Sequence, residues 1–441
     1  MNLSPQNRTI VKLAIPTILM NISLPFIGAV DTAVVGHLEE VFQVGAVSLG
    51  SLIFTILFWA FGFFRMTTVG LAAQAHGRDN AEECAEVLAR GLILGLIFGI
   101  FLIFLAPIIN EIAFYLMDAT PQVEIHAREY FLIRVYGAPA VFITMVFTGW
   151  FYGLKNIIFP VILTVFNNAI NVVLDLWFVW GLSFKSEGVA WASLIAHYLG
   201  AGLMILLFFA KYRSYWKMMR WEGVLDQSQL LSFMKTNFDI MVRTLSLLFA
   251  HAIFMAKSAA LGDAILAVNT ILIQFRHITS YALDGFATAA EVAVGSALGA
   301  GKQKDFLQTI KLVQRWGMIV GAGFSLFYLA GFSFLPSLLT HHQNVLELAA
   351  VYMIWIVLEP LVSNIPFILD GIFIGATGTK TMRNTMLFSV FVVYLPLFYL
   401  LAHFFGNHGM LAATLILYVT RGASLQFYIQ RLTTQPGYRL L

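Results

Sequence analysis

Apolar runs of roughly 20 residues recur from one end of this chain to the other, each long enough to cross a bilayer as an α-helix. No other feature constrains the fold as tightly. In hydrocarbon a spanning helix satisfies all its backbone N–H and C=O groups within itself, which an isolated strand cannot do. The charged surface is also too small for a soluble protein: 59% of the 441 residues are hydrophobic and 11% are charged, against about 25% charged in an ordinary globular domain. The prediction is an all-α polytopic membrane protein.

Twelve spans are predicted at roughly 10–35, 44–70, 86–109, 129–153, 158–182, 188–210, 232–260, 265–297, 308–335, 347–374, 384–404 and 409–429. Most of the 26 Lys and Arg residues then fall on one side, while Arg128, Arg134 and Lys185 fall on the other. Cytoplasmic loops carry the excess of Lys and Arg, so both termini are expected in the cytoplasm. The formal charge of +3 reflects those loops rather than nucleic-acid binding. The first run is too long and too polar at its flanks for a secretory signal. The single cysteine, Cys84, excludes an internal disulfide or a cysteine metal cluster.

The chain reads as two related halves. "GLAAQAHGRDN" (70–80) pairs with "GSALGAGKQKD" (295–305), "GWFYG" (149–153) with "GIFIG" (371–375), and "GVAWASLI" (188–195) with "GMLAATLI" (409–416). The predicted division is an N-lobe over 1–210, a cytoplasmic linker over 211–231 and a C-lobe over 232–441. Two six-span copies enter the membrane in the same sense. Their interface is the expected substrate path of an alternating-access transporter.

Polar groups inside the spans mark the candidate site. Asp31 lies near the end of the first span on one helical stripe with Thr17, Asn21 and Gly28. Asn167, Asn171 and Asp175, spaced by four, share a face of span five. Intramembrane carboxylates are costly and usually functional. A buried acid pair resists double charge and so can exchange protons near neutral pH. The same oxygens, with an amide and a hydroxyl, are hard ligands suited to sodium, and spacing alone leaves both ions open. In the second half, Asp284 and Glu291 share one face and are candidates either for a substrate cavity or for pairing with Arg276 or Arg65. Asp370 and Glu359 lie in span ten. Asp239 and Arg243 are spaced for a local i,i+4 pair. Pro16 and Pro25 mark the first span for a kink. No HExxH, GxSxG or P-loop pattern appears.

The segments "LAIPTILMNISLPFIGAVDTAVVGHL", "FRMTTVGLAAQAHG", "LAVNTILIQFRHITSYALDGFATAAE" and "LDGIFIGATGTKTMRNTM" resemble the multidrug and toxic compound extrusion (MATE) family, closest to its bacterial DinF-like branch. The resemblance implies twelve helices in two six-helix lobes around a V-shaped cavity. It also implies export of organic cations and amphiphilic drugs in exchange for protons or sodium, by a monomer of the bacterial inner membrane without a cofactor. It assigns the coupling ion to Asp31, Asn171 and Asp175, with Ser193 on span six and Tyr136 on span four. It makes Pro16 the hinge of span one; from their place as polar groups within the spans, Asn21, Asn167, Asp284, Glu291 and Asp370 are further cavity candidates. No acid matches the one that the sodium-coupled NorM-like branch has early in span ten. That favours H+ over Na+, with sodium's alternative place at Asp31, Asn171, Asp175 and Ser193. The rival expectation within the superfamily is a flippase for lipids or lipid-linked precursors. A receptor or an intramembrane enzyme fits the duplication poorly.

Overall fold

The computed structural model describes residues 5–38, 40–117 and 119–434. Among these, all regular elements are helical. Twelve rods follow in order: α1 Pro5–Val35, α2 Val41–Gly77, α3 Ala81–Leu116, α4 Pro121–Gly153, α5 Ile158–Gly181, α6 Ser186–Met218, α7 Gln227–Ala260, α8 Asp263–Gly299, α9 Gln303–Ala330, α10 Gln343–Gly375, α11 379–405 and α12 407–434. Each overlaps one predicted span. Eight stretches among them are long and apolar enough to cross a membrane by length and composition. The expected linker is largely helical: α6 continues to Met218 and a short turn of helix follows at Trp221–Val224. Arg90 holds that turn, donating to the Gly223 carbonyl at 2.9 Å and to Glu86 at 2.8 Å.

The chain divides into two compact units, Ile22–Met234 on the one hand and residues up to Asn21 together with Lys235 onward on the other. The division falls inside α1, which runs as one unbroken helix through Pro16. Its first part belongs with the C-terminal helices. There Asn7 accepts from Trp316 Nε1 at 3.1 Å, Asn21 donates to the Tyr281 carbonyl at 3.3 Å, and Gly285 lies against Ala14 and Ile18.

Each unit, taken by itself, repeats the same packing. In the N-terminal unit α2, α3 and α4 pack on one another, and in the C-terminal unit α8, α9 and α10 do the same. The matching five-residue segments explain why. Gly149 and Gly153 of α4 lie against the α2 backbone at Arg65 and Ala72–Ala73, and Gly371 and Gly375 of α10 lie against the α8 backbone at Ala287 and Glu291. Small residues four apart let two membrane helices approach backbone to backbone. The turns repeat as well. Asp79 and Gly301 follow α2 and α8 with φ of 55° and 65°, and Lys155 and Thr377 follow α4 and α10 with φ of 60° and 55°. Around these seams the cores are aromatic and aliphatic: Phe64, Phe142, Trp150 and Phe151 in one unit, Phe254, Leu272, Met353 and Phe398 in the other.

A methyl group at Gly371 has only backbone to push against, whereas Gly323 on α9 has open space around its would-be Cβ. Gly371→Ala is therefore expected to destabilise the C-terminal unit by about 1–3 kcal/mol, while Gly323→Ala is neutral or slightly stabilising. Thermal unfolding of the two detergent-solubilised variants, followed side by side, checks this. Equal midpoints would mean the α8–α10 seam is not tightly packed.

Candidate functional site

Within the N-terminal unit, α1 and α5 bring two carboxyl groups together. Asp31 is 2% exposed and Asp175 is fully buried, so Asp31 is not a wetted interface residue. The two side chains are neighbours in the interior of the unit. Asp31 Oδ1 and both Asp175 oxygens receive no donor from the surrounding protein. Ionised carboxylates only accept, so the two groups can bond each other only when one of them carries a proton. Two neighbouring acids withdrawn from water resist double ionisation.

α5 is amphipathic at this point: Asn171 and Asp175 face inward while Val173, Leu176 and Trp177 are exposed. Asn171 Nδ2 donates to Ser193 Oγ of α6 at 3.4 Å, leaving Asn171 Oδ1 without a donor. Asn171 and Ser193 are thus brought together beside the pair. Asn167, one turn earlier, packs over Gly200 of α6. Tyr136 is not brought in. Its side chain is 55% exposed, and its carbonyl accepts from Tyr198 Oη at 2.9 Å.

A group that the sequence reading missed completes the surroundings. Arg134, sorted from the sequence to the outer side of the membrane, sits part-buried in α4 within electrostatic reach of both acids. The available signal was its position several residues inside the predicted span. At the outer ends of these helices, Lys185 Nζ pairs with Glu40 at 2.7 Å, and Gln43 accepts from the Ser186 N–H at 3.1 Å. Outside the spans, the Lys185 ammonium holds the Glu40 carboxyl below its ordinary range.

Three of the C-terminal acids, Asp239, Glu359 and Asp370, form ion pairs, and one expectation needs correcting. Asp239 does not pair with Arg243: it accepts from Arg383 at 2.6 Å and from Thr379 at 3.1 Å. Arg243 reaches across to Asp370, which also receives Arg421, making a buried Arg–Asp–Arg triad. Arg276 pairs with Glu359 at 3.4 Å. Neither Asp284 nor Glu291 is free of partners. Asn21 is held by the Tyr281 carbonyl, and Pro16 lies within continuous helix. Among the described residues no group of three or more His, Cys, Asp or Glu side chains converges as a metal site.

Comparison with known proteins agrees with this architecture. The MatE family model matches residues 16–177 and 240–400, one stretch in each half. DNA damage-inducible protein F of Escherichia coli K12 is 36% identical over 428 residues, covering 96% of this chain and 92% of that protein. A probable multidrug resistance protein NorM of Photorhabdus laumondii is 26% identical over 400 residues, covering 88% and 86%. Among solved structures, MATE in the bent conformation superimposes with a TM-score of 0.88 at 18% identity, covering 98% of this chain and 96% of that one. An outward-facing multidrug resistance MATE family transporter of the MOP superfamily gives a TM-score of 0.88 at 18% identity, covering 98% of each chain. At such identity the structural likeness establishes the fold.

Proposed function

The chain belongs to the MatE family of membrane transporters, and from that premise we propose that it is a multidrug antiporter of the bacterial inner membrane, with both termini cytoplasmic, exchanging bulky organic cations and amphiphilic drugs for protons. The observation that carries the reading is the buried Asp31–Asp175 pair. Two neighbouring buried carboxyl groups resist double ionisation, and a proton taken up between them relieves that cost. Asn171 and Ser193 supply neutral polar atoms beside it. The names of relatives, multidrug resistance protein NorM and human multidrug and toxin extrusion protein 1, support drug-like substrates.

The exchange follows from charge. With its proton lost to the cytoplasm, the pair holds net negative charge that favours a cationic drug nearby. Proton entry from the outer side removes that charge and with it the attraction for a cationic drug. α1 then relaxes at Pro16, where a proline leaves the helix one hydrogen bond short, and the drug loses its place.

The test is transport in liposomes under a pH gradient alone and then under a sodium gradient alone. Drug movement is expected with the first and not the second. Movement with sodium alone would replace the proton by sodium at the same oxygens.

A further inference from the structure

Arg134 is held on three sides. Its Nη1 donates to Tyr130 Oη at 2.5 Å and to Ser51 Oγ at 3.3 Å, and its guanidinium lies over the Phe54 ring, 5.1 Å from the centroid. Ser51 and Tyr130 are themselves hydrogen-bonded at 2.9 Å, and Tyr130 and Phe54 are buried. The head group is therefore positioned from α2 and from its own helix rather than waving in solvent. Its charge acts on Asp31 of α1, on Asp175 of α5 and on His197 of α6. Tyr130, buried nearby, is also within electrostatic reach of both acids.

A guanidinium stays charged at any working pH. Asp31, Asp175 and Arg134 together carry one net negative charge when both acids are ionised, and one proton brings the cluster to neutrality. A permanent cation thus already occupies part of the electrostatic room that a bound metal cation would need. A second unit charge at about 4–12 Å and an effective dielectric of about 20 weakens cation binding by roughly a thousandfold to tenfold. Protons can absorb that loss, because carboxyl groups withdrawn from water hold them tightly. Sodium has no such reserve. As a hard cation it must gather several oxygen ligands around itself, and here it would do so beside a fixed guanidinium.

We propose that Arg134 is the residue that makes the Asp31–Asp175 site accept protons and refuse sodium. The proposal rests on the proton-coupled reading given above and assigns the ion choice to one positioned side chain. Arg134 touches neither drug nor ion: it acts through the pair.

The experiment reconstitutes wild type, Arg134→Lys, Arg134→Gln and Arg134→Met in liposomes. Drug export is measured under a pH gradient without sodium, and under a sodium gradient at uniform pH with potassium as control. Wild type and Arg134→Lys are expected to ignore sodium. The neutral variants are expected to export at least about tenfold faster with sodium than with potassium, and their pH profile is expected to move to higher pH, because loss of a nearby cation strengthens proton binding. A merely structural role would move neither readout in that way. A neutral variant that is driven by pH but not by sodium overturns the proposal. So does one that inserts in the membrane and responds to neither ion, since Arg134 would then be needed for coupling itself. If no neutral variant accumulates, Ser51→Asp decides, because it sets a counter-charge against the guanidinium in place: sodium-driven export by it upholds the proposal, and pH-driven export without any sodium response overturns it. Failure of the underlying reading looks different, because wild-type export would then follow a sodium gradient or fail to follow a pH gradient.

Discussion

Liposomes carrying the Asp31→Asn protein will move no more drug under an imposed pH gradient than empty liposomes do. The amide is nearly isosteric with the acid, so packing around this buried position (2% exposed) is kept. What is lost is the exchangeable proton. An Asn at 31 donates permanently to Asp175, and the pair is then fixed in one state with nothing to release on the cytoplasmic side. Asp175→Asn is expected to act in the same direction, because either carboxyl can carry the shared proton. Asn171→Ala should be milder, since that amide meets Ser193 at the edge of the pair. Two measurements separate coupling from folding: pH-driven transport, and the amount and thermal midpoint of purified protein. Wild-type transport by a well-expressed Asp31→Asn protein would remove Asp31 from the mechanism.

The large features of this molecule were legible in the sequence because the bilayer enforces them. Run length set the twelve rods, and the paired segments "GWFYG" and "GIFIG" marked the two seams where α4 meets α2 and α10 meets α8. Asp31 and Asp175 could be picked out because a carboxylate in an apolar run needs a reason to be there. Their contact was not legible, since spacing along α5 says nothing of which helix faces it. Partner choice among the remaining charges was misjudged for the same cause. The i,i+4 spacing of Asp239 and Arg243 is worth a few tenths of a kcal/mol. Cross-helix partners at hydrogen-bonding distance in a low-dielectric interior outbid it, as Arg383 and Asp370 do here. Sorting cations by side is a rule about topology, and it says nothing of the carboxyl groups that Arg134, several residues inside its span, lies near. The unit boundary within α1 was also beyond reach, because that helix is continuous in sequence and in structure while its two ends keep different company.

The second large effect concerns a carboxylate of opposite character. Asp370 is expected to be indispensable for stability rather than for coupling. It receives both Arg243 and Arg421, and all three are buried, Arg421 to 1% exposure. Removing one partner from a buried ion pair costs about 3–5 kcal/mol, because the remaining charge is left uncompensated. In Asp370→Asn two guanidinium groups lose their shared counter-charge and face each other across an amide. The cost should reach at least that range, and the protein should melt early or fail to accumulate. The triad is unequal, and this gives the test its discrimination. Arg243→Gln leaves Asp370 and Arg421 as a neutral pair, so it should cost far less than Asp370→Asn despite deleting a buried arginine. Replacing all three by apolar residues of similar volume should restore much of the loss, as buried ion networks commonly allow. Thermal unfolding in detergent of the single variants and the triple variant, beside pH-driven transport for each that survives, checks the ranking. Should Asp370→Asn instead melt like wild type yet move no drug, Asp370 would belong with the transport machinery and the C-terminal unit would carry a site of its own.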